Sequence, residues 1–236
     1  MSYGLIHRPG IGFFYIDRSG NIYYDFEREA YINDLFRVIL NQCMAYFFFQ
    51  NKKMALHAAC ISKNNKAYLI SGPSGSGKSS LAAMLSKDYK IISEDLSVIE
   101  NMNTSYVYSS YPLIKLDPKI AEESLGIKNK IIYRKDKLNR IGYGLENKFL
   151  NEVKTEIKKC VFINWGSKNT ITKLDAKNKF VKILQNSFKP IPYDIDKNSI
   201  KNLLENISIF SKNVEIIQIN RVKGSYEIDV IKEILN

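Results

Sequence analysis

A chain of 236 residues, 45% hydrophobic and 25% charged, can bury a sizeable core, so a wholly disordered protein is excluded. Its formal net charge of +11 does not by itself point to nucleic acid. The lysines are scattered through Asn- and Ile-rich sequence, with no zinc-finger or recognition-helix pattern beside them, and no nucleic-acid partner is expected. Residues 1–20 lack the basic segment, apolar run and cleavage site of a secretory signal. The most apolar stretch, 35–49, is interrupted by Arg37, Asn41 and Gln42, so no membrane span is expected either. Three widely spaced cysteines, Cys43, Cys60 and Cys160, form no Cys-x-x-Cys pair and read as reduced thiols of a cytoplasmic protein.

In chain order, the aromatic and β-branched runs 13–16 and 22–24 flank Ser19-Gly20-Asn21 and predict a hairpin. Residues 26–49 then predict one helix. The acidic Asp25, Glu27 and Glu29 suit its start, and Leu35, Phe36, Ile39, Leu40, Cys43, Met44 and Phe47 recur at three and four. A strand over 55–61, a turn at Lys63-Asn64-Asn65-Lys66 and a strand over 67–71 come after it. Next are a glycine-rich loop, a helix over 79–86 and a strand over 90–93 that ends at Glu94-Asp95. Strand, loop, helix and strand make a βαβ-like unit. Further on, 106–111 and 160–165 predict strands, 118–125, 176–185 and 199–206 predict helices, 214–219 a strand and 229–235 a helix; 128–148 reads as basic and irregular. The fold class is α/β, a mixed sheet containing a phosphate-binding loop and flanked by helices. It is expected as a single unit, with residues 1–53 appended to a core over 54–236.

Gly72-Pro73-Ser74-Gly75-Ser76-Gly77-Lys78-Ser79 matches a glycine, four residues and Gly-Lys-Ser. Glycines let successive N–H groups curl around one point, and that concavity opens on a helix N-terminus, where amides and dipole favour an anion. Lys78 would reach the β- and γ-phosphates and the Ser79 hydroxyl would join a Mg²⁺ shell. The expected nucleotide-binding set is therefore Gly72, Pro73, Ser74, Gly75, Ser76, Gly77, Lys78, Ser79 and Ser80. Glu94-Asp95 closes the next strand, and two adjacent carboxylates permit a division of labour. Asp95 would hold Mg²⁺ with Ser79, and Glu94 would take the proton of an attacking hydroxyl. The competing expectation for the pair is an acidic helix cap. His57, alone among apolar residues in a strand, reads either as a satisfied core histidine or as a catalytic group.

Leu56-His57-Ala58-Ala59, the glycine-rich loop, Ile92-Ser93-Glu94-Asp95 and Ser110-Tyr111-Pro112-Leu113-Ile114-Lys115-Leu116 together resemble the catalytic core of HPr kinase and its smaller relatives, over about residues 56–126. The resemblance implies a fold related to phosphoenolpyruvate carboxykinase and ATP- and Mg²⁺-dependent phosphorylation of a serine on a protein or peptide. It implies that Glu94 is the base, Asp95 the metal ligand and His57 a phosphate-proximal polar group. Two departures stand out. The first carboxylate is Glu where the family usually has Asp, and the downstream Arg-Gly signature is missing. Lys137 and Arg140, in the corresponding region, either supply compensating positive charge or belong to a solvated basic loop. These departures and the short chain favour a small relative of the kind that phosphorylates ribosomally made precursor peptides, lasso peptides among them; such proteins often form homo-oligomers. Two alternatives remain open, a small-molecule kinase and a nucleotide-binding regulatory module without turnover.

Overall fold

The structure, a computed structural model, describes residues 4–126, 131–133, 140–150, 152–188, 197–222 and 228–235. It opens with three antiparallel strands, β1 (Gly4–Arg8), β2 (Gly12–Ile16) and β3 (Ile22–Phe26), in that spatial order. The predicted hairpin is the β2–β3 pair. β1 joins it through His7, whose ring stacks on Phe13 with centroids 4.2 Å apart. Alternation along β2 sends Phe14 and Ile16 to a buried face, against Leu35, Val38, Cys43 and Tyr46 of the helical segment after it.

That helix does not begin at Phe26. Phe26 pairs with Gly12, the Glu27 amide donates to the Ile11 carbonyl and the Glu27 carboxylate accepts from Gly10 N–H. Cross-strand bonds thus hold the acidic segment that would suit a first helical turn. Helical structure starts as α1 (Ile32–Arg37), passes through a π-helical turn (Val38–Cys43) and continues as α2 (Met44–Gln50). The π turn breaks the expected single helix, rotating the side chains of α2 about the axis relative to those of α1.

The chain then builds the main sheet with β4 (Met54–Lys63) and β5 (Lys66–Ser71), joined by a tight turn in which Asn64 and Asn65 take positive φ. After α3 (Lys78–Leu85) come β6 (Lys90–Ser93), β7 (Leu96–Asn101), β8 (Ser105–Tyr108), β9 (Leu113–Leu116), α4 (Pro118–Leu125), β10 (Ile131–Tyr133) and β11 (Ile141–Gly144). The remainder is β12 (Lys154–Trp165), β13 (Thr170–Lys173), α5 (Ala176–Asn186), α6 (Lys197–Asn213), β14 (Glu215–Arg221) and α7 (Ile228–Leu235). The sheet runs β13-β14-β12-β5-β4-β7-β8, with β6 also on β4 and the start of β12 closing onto β8. β5, β12 and β14 are mutually parallel neighbours, while the other pairings are antiparallel.

β5 and β6 are both antiparallel to β4, so the strand–loop–helix–strand unit carries two parallel strands with β4 inserted between them. Segment 128–148, expected to be irregular, contains β10, β11 and a 3₁₀ turn at Glu146–Lys148. β11 pairs with β9, more than twenty residues earlier, and a pairing that distant leaves little mark on the local pattern. One face of the main sheet buries Leu81 and Leu85 of α3 with Ile231 and Leu235 of α7, and the other buries Ile183, Ile207 and Phe210 of α5 and α6. Among the described residues no helix is long and apolar enough to cross a membrane. The three cysteines are buried and free, and burial pushes the Cys43 thiol up to about 12, which leaves it unreactive at neutral pH.

Candidate active site

The C-terminal ends of β5, β12 and β14 lie side by side, Phe162 opposite Ser71 and Trp165 opposite Arg221. In open α/β sheets such ends are where ligands bind. The 72–79 loop leaves β5 at this edge. Gly72 has a φ of 144°, and a Cβ there would sit 2.3 Å from the Ile163 carbonyl oxygen of β12, so no side chain fits. Gly77, at φ 86°, is the N-cap of α3, and no side chain caps that helix end; the first-turn amides of α3 therefore face the loop. Lys78 folds back over it, its ammonium donating to the Gly72 and Pro73 carbonyls at 2.9 and 3.0 Å.

Two side chains that sequence reasoning missed brace this loop from beneath. The Trp165 indole N–H donates to Gly75 O at 3.0 Å, and the buried Arg221 guanidinium donates to Ser76 O while stacking 4.5 Å above the Trp165 ring. The available signal is their position, each the last residue of its strand.

Ser79, the residue after Lys78, donates its hydroxyl to Glu94 Oε1 at 2.6 Å. Glu94 is 1% exposed, and its Oε2 has no hydrogen-bond partner among the described residues. Asp95 turns the other way. Its φ of 62° and the 2.7 Å bond from Leu96 N–H to Glu94 O describe a γ-turn, a strained conformation for a residue with a side chain. The turn separates the two carboxylates: Glu94 goes beneath α3, and Asp95 goes into an open cleft with 16% of its side chain exposed. Between them lies Lys115 of β9, 5% exposed, in contact with Asp95 and 3.9 Å from Glu94 Oε2. Sequence reasoning does not single out Lys115 as a site residue. A lone charge in Leu113-Ile114-Lys115-Leu116 is nonetheless the sequence signature of a buried, paired lysine.

β9 also explains Arg140. Leu116 pairs with Ile141 of β11 and Lys115 with Gly142, which brings Arg140, just before that strand, to the cleft that Lys115 lines. His57 of β4 lies across from Asp95, Nε2 to Oδ1 at 3.9 Å, with the Phe188 ring edge-on at 6.0 Å. Burial, then the positive charges of Lys78, Lys115 and Arg140, pull the His57 imidazole down to about 4. At neutral pH it is uncharged, and the approach to Asp95 is not an ion pair. Burial likewise pulls Lys78 down to about 8 against the opposing pull of Glu94. Both shifts describe a pocket with an excess of desolvated positive charge, which an anion would relieve.

The cleft encloses about 2070 Å³. His57, Pro73, Ser74, Gly75, Gly77, Lys78, Ser79, Ser80, Asp95 and Arg140 all line it, as do Lys115 and Trp165. Gly72, Ser76 and Glu94 stand behind this lining, and Lys137 lies outside the described residues. The opposite wall is α1, the π turn and the β1–β2 and β3–α1 connections. Among the described residues no group of three or more His, Cys, Asp or Glu is placed so that it could hold a metal ion. A cation here would rest on Ser79 and one carboxylate, together with oxygens from a bound phosphate and water. Those are hard donors, and few protein ligands is the usual mode for Mg²⁺.

No known protein family and no curated protein sequence matches the chain. Among solved structures, the Hpr(Ser) kinase/phosphatase from Coxiella burnetii is similar over 64% of this chain and 94% of its own, at 15% identity and a TM-score of 0.34. A likeness that slight carries no weight for function, which has to be read from the cleft.

Proposed function

We propose that the chain is an ATP- and Mg²⁺-dependent kinase that transfers the γ-phosphate to a serine hydroxyl of a peptide or protein, a ribosomally made precursor peptide being the favoured substrate. The observation that carries this reading is the divergence of Glu94 and Asp95 at the γ-turn, one carboxylate against Ser79 and the other facing the cleft. A nucleotide-binding module without turnover has no use for a second carboxylate held at a strained residue.

The roles follow the geometry. The loop amides and the α3 N-terminus receive the triphosphate, with Lys78 on its terminal groups. Ser79 and Glu94 would hold Mg²⁺, which supplies neutralisation of charge on the β- and γ-phosphates. Asp95 orients the acceptor hydroxyl and takes its proton. This assignment reverses the division expected from the sequence, because Glu94 and not Asp95 is the partner of Ser79. In the transfer, the serine oxygen forms a bond to the γ-phosphorus as the bond from phosphorus to the β,γ-bridging oxygen breaks. The electron pair leaves with ADP, and the hydroxyl proton passes to Asp95. Arg140 and Lys115 bring positive charge to the oxygens of the moving phosphoryl group, and neutral His57 can donate a hydrogen bond to them.

Transfer from ATP labelled at its γ-phosphate, read by mass spectrometry of serine peptides, tests the reading. Asp95→Asn is expected to lower transfer by on the order of 10²- to 10⁴-fold with nucleotide affinity within a few fold. Lys78→Ala is expected to weaken ATP binding itself. Binding is read from the fluorescence of Trp165, the single tryptophan, which touches the loop. Undiminished transfer by both variants would sink the proposal.

A further inference from the structure

Resting on the phosphotransfer reading above, we infer that the acceptor is an extended polypeptide segment whose apolar side chains flank the serine and pack on the exposed face of α1, at Tyr31, Ile32 and Phe36. These three side chains are 78%, 60% and 54% exposed. Ile32 and Phe36 are four residues apart and share one helix face, while Leu35 and Val38 on the other face are buried against β2. An exposed apolar residue taken singly needs no explanation. Here all three line the same cleft as Lys78, Ser79 and Asp95, interspersed with the polar Asn33, Asp34 and Arg37 of the same helix, so these apolar side chains share one cleft with the site of chemistry.

The size of the cleft selects among occupants. Small-molecule sites fill roughly 300–1,000 Å³, and 2070 Å³ is about twice that ceiling. A triphosphate and a metabolite seated at the phosphate end would leave the α1 wall in water. An extended chain, advancing about 3.3 Å per residue with side chains pointing alternately to either side, can lay one set on α1 while its serine reaches Asp95.

The experiment uses the whole chain, γ-labelled ATP and short synthetic peptides with a central serine, flanked either by Ile, Leu and Phe or by Gly, Asn and Gln, with free serine as a third acceptor. The expected result is preferential phosphorylation of the apolar set. Tyr31→Ser and Phe36→Ser should each raise the peptide KM by roughly tenfold, the loss from one partly buried aromatic contact, with kcat and the ATP affinity read from Trp165 little changed. Equal use of both peptide sets, transfer to free serine alone, or ATP binding with no transfer to any of the three would overturn the inference. So would a rise in the ATP dissociation constant in these variants with an unchanged peptide KM, since the wall would then hold the nucleobase. Failure of the unsubstituted protein to bind ATP at all would instead remove the kinase reading beneath it.

Discussion

The two walls of the cleft invert the usual partition of side chains in opposite ways. On the core wall, charges are buried: Lys78, Glu94 and Lys115 are each at most 6% exposed. On the N-terminal wall, apolar groups are exposed. Each arrangement costs stability in isolation, by desolvation on one side and by unburied apolar area on the other. The core wall offsets its cost internally, through the Ser79–Glu94 bond and the Lys115 contacts with Asp95 and Glu94. On the N-terminal wall, Tyr31, Ile32 and Phe36 stay exposed, and no described residue covers them.

The largest expected effect tests the internal compensation. Lys115→Met leaves two carboxylates, one of them fully buried, without their cation, and should cost about 3–5 kcal/mol. For a chain of this size that lowers Tm by on the order of 10 °C, measurable by calorimetry, and adding Asp95→Asn should recover part of it. A Tm within about 2 °C of the parent would show that the core wall does not depend on this contact. A smaller effect comes from His57. Its folded value of about 4 lies below its unfolded value of about 6.5, so the stability it contributes is present above about pH 6.5 and is lost as pH falls through 4. A third of the ring is exposed, so screening holds the loss to on the order of 1 kcal/mol at pH 5. His57→Gln should flatten that part of the Tm–pH curve, and an unchanged slope would assign it to other groups. The smallest effect belongs to the opposite wall. Tyr31→Ser should change stability by no more than about 0.5 kcal/mol, and a larger loss would mean that this wall is part of the folded core.

The same contrast decides what can be read from the sequence. The glycine-rich loop, the strand before it, the helix after it and the pair Glu94-Asp95 are local features. Each residue type is demanded by a backbone angle or a charge a few positions away, so the pattern survives in one dimension. The burial of Cys43, Cys60 and Cys160 is legible for the same kind of reason, each lying in an apolar run. Long-range pairing is not legible. β9 and β11 sit in stretches without strong alternation and exist because they pair with each other, and only that pairing brings Arg140 to the cleft that Lys115 and Asp95 line. The helical period places the start of α1 too early because β3 keeps its hydrogen bonds to β2 through Phe26, a competition to which that period is blind. The π turn likewise has no signature in the apolar spacing of 35–47.

By itself, then, the sequence determined the glycine-rich loop between β5 and α3, since such a loop is specified by consecutive backbone and side-chain requirements. The tertiary structure alone decided how the two carboxylates divide. A γ-turn at Asp95 and the packing of α3 over Glu94 set their directions, and no spacing of two adjacent acids can express that. It also decided what stands across the cleft, because the face that α1 exposes depends on which side β2 covers.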